Sequence, residues 1–148
     1  MNDVFLDTHG LASYINQDDP HHDFAFLHGD ELIRSGARFV TTFAIVTETA
    51  ELLLTRLKSR GRTHVMRAIN AATDFIFMLE AAGLVEIVQV DETLCRRALA
   101  LMNRMSDKEW GLTDCISFIV MEDRNTREAF TGDSHYAQAG FRPLLRRS

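Results

Sequence analysis

The stretch "EAFTGDSHYAQAGF", residues 128–141, decides how this chain is read. A run with strand character, residues 128–131, ends on Gly132 and Asp133, and a small polar-flanked helical pattern follows. The other end of the chain repeats the arrangement: in "DVFLDTHG" Val4-Phe5-Leu6 runs into Asp7, with a short helical pattern beyond. A strand that belongs in a core has no structural need to end on a carboxylate. Two such strands in one chain raise the question of what the carboxylates face.

Further strand-like runs lie at residues 38–42, at 84–90 and around 141–145, and helical patterns fill the gaps. Asp18 and Asp19 before Pro20 are candidate caps for a helix ending near Gly36. Ile45, Val46, Ala50, Leu53, Leu54 and Leu57 form an apolar stripe at helical spacing, and a second long helix runs from about His64 to Ala82, ending at Gly83. Asp91 is a candidate cap for the next helix and Thr113 for the one after. Strands alternating with helices imply a parallel sheet covered on both faces. The expected fold is therefore α/β, three layers (α/β/α) around a central parallel sheet of about five strands, with residues 1–148 forming one domain.

The composition narrows the function classes. With 46% hydrophobic and 25% charged residues the chain has the make-up of an ordinary globular protein. A net charge of −5 argues against a protein that coats nucleic acid through a broad basic surface, although it leaves room for a local basic groove. Lys58 and Lys108 are the two lysines, so the positive charge is nearly all Arg, the side chain suited to forked phosphate contact. Cys95 and Cys115 form no CxxC and fit a reduced, cytoplasmic setting. "MNDVFLD" lacks the features of a signal peptide, and no apolar run is long enough to span a membrane.

In an open parallel sheet, ligands bind beyond the carboxyl ends of the strands. Asp7 and Asp133 sit where strands hand over to helices, Glu48 lies a turn into the helix after "RFVTT", and Asp114 opens the helix "TDCISF". Singly, each has an ordinary explanation: Asp7 and Asp114 as caps or first-turn acids, Glu48 with Glu51 as a solvated face, Asp133 as a turn residue. Jointly they are harder to explain, because two carboxylates 4 Å apart repel by about 4 kcal/mol at an effective dielectric near 20 and need a compensating cation. All-oxygen ligand sets suit Mg²⁺ or Mn²⁺.

The blocks "VFLDTHGL", "TTFAIVTETAELL", "WGLTDCISFIVM" and "FTGDSHYAQAGF" resemble, in order, the four acidic blocks of PIN-domain ribonucleases of the VapC toxin type. The resemblance covers essentially the whole chain, and the last two blocks are its most specific part. It implies a metal-dependent endoribonuclease acting with Mg²⁺ or Mn²⁺, a homodimer, and a small antitoxin that blocks the site. It assigns Asp7, Glu48, Asp114 and Asp133 to the acidic metal-binding quartet, places Thr8 beside the metal, and turns Ser117 into the same pocket. His9 stands where the family has a smaller or apolar residue and Tyr136 where Phe is commoner; neither is read as touching the acids. The runner-up is a PIN-like scaffold that binds RNA or a protein without cutting. A haloacid-dehalogenase-type phosphatase would need Asp at position 9, and a receiver domain a late Lys; the chain has neither.

The imidazoles of His9 and His135 fall outside an all-oxygen ligand set, and His21-His22 read as a solvated helix face. Trp110 reads as an anchor for the loop presenting Asp114. The turn "RLKSRGR", with Arg56, Arg60 and Arg62, and Arg67 beyond it, is either a phosphate-contacting patch or a solvated connection. Phe75, Phe77, Met78 and Leu79 make their helix apolar around much of its circumference, which points to a face buried against a second copy.

Overall fold

The structure, a computed structural model, describes residues 3–146. Five parallel strands, β1 (Asp3–Leu6), β2 (Arg38–Thr42), β3 (Val85–Val88), β4 (Glu128–Phe130) and β5 (Arg142–Pro143), stand in the order β3-β2-β1-β4-β5. The helices between them are α1 (Thr8–Ile15), α2 (His22–Arg34), α3 (Phe43–Leu57), α4 (Arg62–Ala81), α5 (Glu92–Arg104), α6 (Leu112–Asp123) and α7 (Ser134–Gln138). A short 3₁₀ turn, Lys58–Arg60, joins α3 to α4. The expected parallel α/β sheet of five strands is present.

Side-chain alternation along each strand makes the three layers. Val4, Leu6, Phe39 and Phe130 point to one face and pack with Leu11 of α1, Ala25 of α2, and Ile76 and Leu79 of α4. Phe5, Val40 and Ala129 point to the other, against Leu94 and Ala98 of α5, Phe118 and Met121 of α6, and Tyr136 of α7. Burial on both faces is why these strands read as unbroken apolar runs. Helix α3 contributes Ile45 to one core and Val46 to the other, then pairs with α4 through Leu53, Leu57, Val65 and Ala72.

The chain builds outward from β1 through β2 to β3, then returns to the opposite side of β1 to add β4 and β5. The reversal leaves a crevice beyond the carboxyl ends of β1 and β4, where Asp7 and Asp133 lie. A close approach keeps that crevice narrow. A Cβ on Gly10 would sit 2.0 Å from the Phe130 carbonyl oxygen, so only glycine lets α1 lie against the end of β4.

Several local expectations are corrected. Helix α6 starts at Leu112 with Gly111 as its N-cap residue, not with Thr113; the Asp114 carboxylate reaches back to the Gly111 N–H at 3.2 Å and takes over the capping. Helix α2 is entered through His21, whose N–H donates to Asp19 Oδ1 at 2.8 Å; the aspartates make the turn around Pro20 and do not cap the helix. Asp91 does cap α5, accepting from the Leu94 N–H at 2.8 Å. Phe75 and Leu79 belong to the chain's own core, which leaves Phe77 and Met78 as the exposed apolar residues of that stretch.

Gly10→Ala should cost about 1–3 kcal/mol or more, because the obstructing atom is backbone and cannot rotate away. Urea denaturation measures it, and an unchanged midpoint would refute the close approach.

Candidate active site

The end of β1 delivers Asp7 into the interior. It occupies the N-cap position of α1, yet its side chain makes no capping bond there. Its carboxylate turns inward: Thr131 Oγ1 donates to Oδ2 at 2.7 Å and the Tyr136 hydroxyl donates to Oδ1 at 2.8 Å. Burial raises its pKa from 3.8 to about 6, against the lowering by those two hydroxyls and the Thr8 N–H; Asp114 adds a smaller upward push. Tyr136 is fully buried between Phe5 and Phe118. Its own pKa is pushed well above 10 by burial and then by the charge of Asp7, so it stays a donor. Tyr136 therefore does touch an acid, which corrects the reading of it as a remote departure.

A second group lies on α6 and α7. The Asp114 Oδ2 and His135 Nδ1 atoms are 3.0 Å apart, Asp133 Oδ1 is 3.5 Å from the same nitrogen, and the His135 N–H donates to Asp133 Oδ1 at 2.9 Å. Among the described residues these three offer ligand atoms within 4.8 Å of one another. Burial raises the Asp114 pKa, opposed by the Gly111 N–H; the charge of Asp133 raises it further. The loop before Asp114 is pinned by Trp110, whose Nε1–H donates to Gln138 Oε1 at 3.1 Å and whose ring meets Phe118 edge-on.

Glu48 is exposed and tied to the first block by Thr8, whose hydroxyl donates to Oε1 at 2.6 Å. Ser117 is buried, donates to the Thr113 carbonyl at 2.9 Å, and is a second polar neighbour of the Tyr136 phenol. Asp114 and Asp133 thus meet around His135, Asp7 feels the charge of Asp114, and Glu48 is bonded to Thr8, the residue after Asp7. Sequence reasoning set His135 aside and missed Thr131 altogether. The alternation of strand residues would have turned Thr131 inward, but nothing local says that its partner is Asp7, 124 positions away.

The arginine turn is drawn partly elsewhere. Arg56 meets Asp19 at 3.4 Å and Arg60 meets Asp18 at 2.5 Å, so both hold the loop between α1 and α2; Arg62 is exposed at the start of α4. His9 reaches across to β4, where its Nδ1 accepts the Gly132 N–H at 3.0 Å. Burial lowers its pKa, which suits a nitrogen acting as acceptor. A Cβ on Gly132 would stand 2.9 Å from the His9 ring, so the glycine makes room for it.

The donor set fits a divalent cation. Burial raises the pKa of Asp114, as it does that of Asp7, so the ionised forms lack a counter-charge; the Asp114 and Asp133 oxygens are hard donors that match Mg²⁺ or Mn²⁺, and His135 adds one imidazole nitrogen. The Asp7 hydroxyl clamps use one lone pair on each oxygen and leave others free.

The folded chain holds the Asp7 proton more tightly than the unfolded chain does. Its contribution is therefore favourable at low pH and is lost as pH rises through the interval from 3.8 to about 6, by about 3 kcal/mol in full. With EDTA present, the stability gap between Asp7→Asn and the parent should widen in favour of the variant by about 2 kcal/mol from pH 4.5 to pH 7. Urea midpoints at the two pH values measure this, and a constant gap would contradict the buried, uncompensated carboxylate.

No family model matches the sequence, and no curated protein matches it. Among solved structures the chain is similar to VapC20 of Mycobacterium tuberculosis, described as a sarcin-ricin loop cleaving toxin. The TM-score is 0.75 at 25% sequence identity, over 93% of this chain and 95% of that one. The chain resembles a VapC-type toxin in its ordered acidic blocks and in the fold that presents them.

Proposed function

We propose that this chain is an endoribonuclease, the toxin half of a toxin–antitoxin pair, working with Mg²⁺ or Mn²⁺ on an RNA phosphodiester. One observation carries the reading. Asp114 and Asp133 meet around His135, within electrostatic reach of the buried Asp7, at the topological reversal of a sheet whose fold is shared with a sarcin-ricin loop cleaving toxin. The reaction is in-line attack of water on the scissile phosphate, and a divalent cation here would supply Lewis-acid polarisation of both. Asp114 and Asp133, which both approach His135 Nδ1, would hold the ion, with the buried Asp7 and the exposed Glu48 completing the acidic set. Thr8 orients Glu48, and Ser117 packs under the phenol that orients Asp7. Arg62, exposed, and Arg56 and Arg60, as far as their aspartates release them, would steer the RNA backbone.

The partners follow from the same reading. A small antitoxin would occupy the acidic edge through a basic side chain. A second copy would cover the exposed Phe77 and Met78 of α4, and the work would be cytoplasmic, by residues 1–148 as one unit. No helix among the described residues is long and apolar enough to cross a membrane. The alternative, a silent RNA- or protein-binding module, leaves the Asp114–Asp133 pair and the buried Asp7 carboxylate without a use.

Purified protein should cleave RNA, with a sarcin-ricin loop hairpin as the first substrate, in Mn²⁺ or Mg²⁺ and not in EDTA. Asp114→Asn should lower the rate 10²-fold or more. The same variant should melt higher than the parent in EDTA and gain less from Mn²⁺, since relief of repulsion and loss of a ligand act oppositely. Equal rates, or equal responses to metal, would sink the assignment.

Sedimentation at micromolar concentration should show a dimer for the parent and monomer for Phe77→Glu. A monomeric parent rules the dimer out.

A further inference from the structure

A cleft of about 230 Å³ opens beside the acidic edge, lined by His9, His21, Phe24, Gly132, Leu145 and Arg146. It shares its walls with the site: His9 lies two residues after Asp7, and Gly132 immediately precedes Asp133. The proposed metal chemistry uses none of the cleft's side chains. We propose that the cleft is a nucleobase subsite, taking the base next to the scissile phosphate and setting the sequence preference of cleavage. This inference rests on the ribonuclease reading for its substrate but on separate residues for its evidence.

The chemistry of the walls selects a planar, polar ligand. The rings of His9 and His21 stand 6.0 Å apart at 45°, and Phe24 adds a third aromatic surface. Aromatic faces receive bases of any sequence by stacking, so stacking alone would give affinity without preference. His9 supplies the preference. Its Nδ1 is engaged as the acceptor of the Gly132 N–H, so the proton of the neutral ring resides on Nε2. The ring therefore offers the cleft a single donor in a fixed tautomer, which pairs with an acceptor on a base edge. Arg146 at the rim is suited to the flanking phosphate, a contact without sequence information. A protein side chain would find the same donor, but the walls offer no carboxylate to receive the basic group an acidic edge attracts.

His9→Asn is the discriminating variant: an amide oxygen can still accept the Gly132 N–H, whereas the Nε2–H is gone. Two measurements are made on the full chain. In the first, the His9 and His21 ring signals of Asp114→Asn protein are followed by NMR as each of the four nucleoside 5′-monophosphates is added, with inorganic phosphate as control. Ring shifts that differ among the four bases and are absent with phosphate are expected; no shifts, or equal shifts with phosphate, overturn the subsite. In the second, cleavage of hairpins randomised around the cut is sequenced. His9→Asn should reduce the ratio of kcat/KM between best and worst base at one flanking position roughly tenfold, and His21→Ala should raise KM more than it lowers kcat. Unchanged base ratios in both variants overturn it. Ring shifts without cleavage would sink the ribonuclease reading and leave the subsite standing; cleavage with unchanged ratios would do the reverse.

Discussion

The carboxylate of Asp7 is the constraint on which the edge of this molecule is built. It is almost wholly buried, and two hydroxyls from the far end of the chain, Thr131 and Tyr136, hold it. Each bond spans more than 120 residues of sequence, so strand β1 and the β4–α7 corner are fastened together at one carboxylate. Hydrogen bonds to a charged group contribute about 1.5–3 kcal/mol each, yet the pKa of Asp7 still moves upward. Desolvation outweighs the clamps. A fold selected only for stability would place Asn or Thr there. The persistence of a carboxylate at a net cost is the physical argument that something positive belongs beside it.

The sheet around this carboxylate was legible because its signals are local. Apolar runs of four or five residues, Asp91 ahead of a helix, and glycines closing helices each act within a few positions. The three layers followed from strands alternating with helices, and in β1 Val4 and Leu6 face one helical layer while Phe5 faces the other. A boundary slipped where one local capping bond outbid another. At α6, Thr113 is a good N-cap residue, but the helix begins earlier because Asp114 bonds back to Gly111. Of the apolar stretch at 75–79, sequence could not say that Phe75 and Leu79 turn into the chain's own core.

The acids were legible as a set, because all four lie at strand ends or within the first two turns of helices. What holds them was not. Thr131 and Tyr136 acquire their roles from Asp7, brought near by the β1–β4 pairing, and His135 from Asp114 on α6; a substitution of Tyr for Phe reads as conservative until its hydroxyl meets a carboxylate. Arg56 and Arg60 fail in the opposite sense. Their clustering reads as a patch open to phosphate, while Asp18 and Asp19, some forty residues earlier, already engage them. The exposed Arg60–Asp18 pair is worth about 0–1 kcal/mol, so a phosphate could displace that aspartate cheaply, whereas the Asp19 carboxylate is largely buried. The loop between α1 and α2 would be loosened at Asp18 by the same exchange.

That coupling places the acidic edge and the cleft in one electrostatic system. Asp19 and Asp133 raise the pKa of His9, while His21 and Arg56 lower it, with burial the largest influence of all. His9 of α1 therefore feels both the α1–α2 loop, through Asp19 and His21, and the acidic edge, through Asp133. Placing a cation among the acids removes negative potential from the cleft and makes an anionic backbone easier to accommodate. Drawing Arg56 from Asp19 toward that backbone restores some of the negative potential near His9, and the two effects oppose each other. Of the loop's two ion pairs the exposed Arg60–Asp18 yields first to a polyanion, while the largely buried Asp19 carboxylate resists the loss of Arg56.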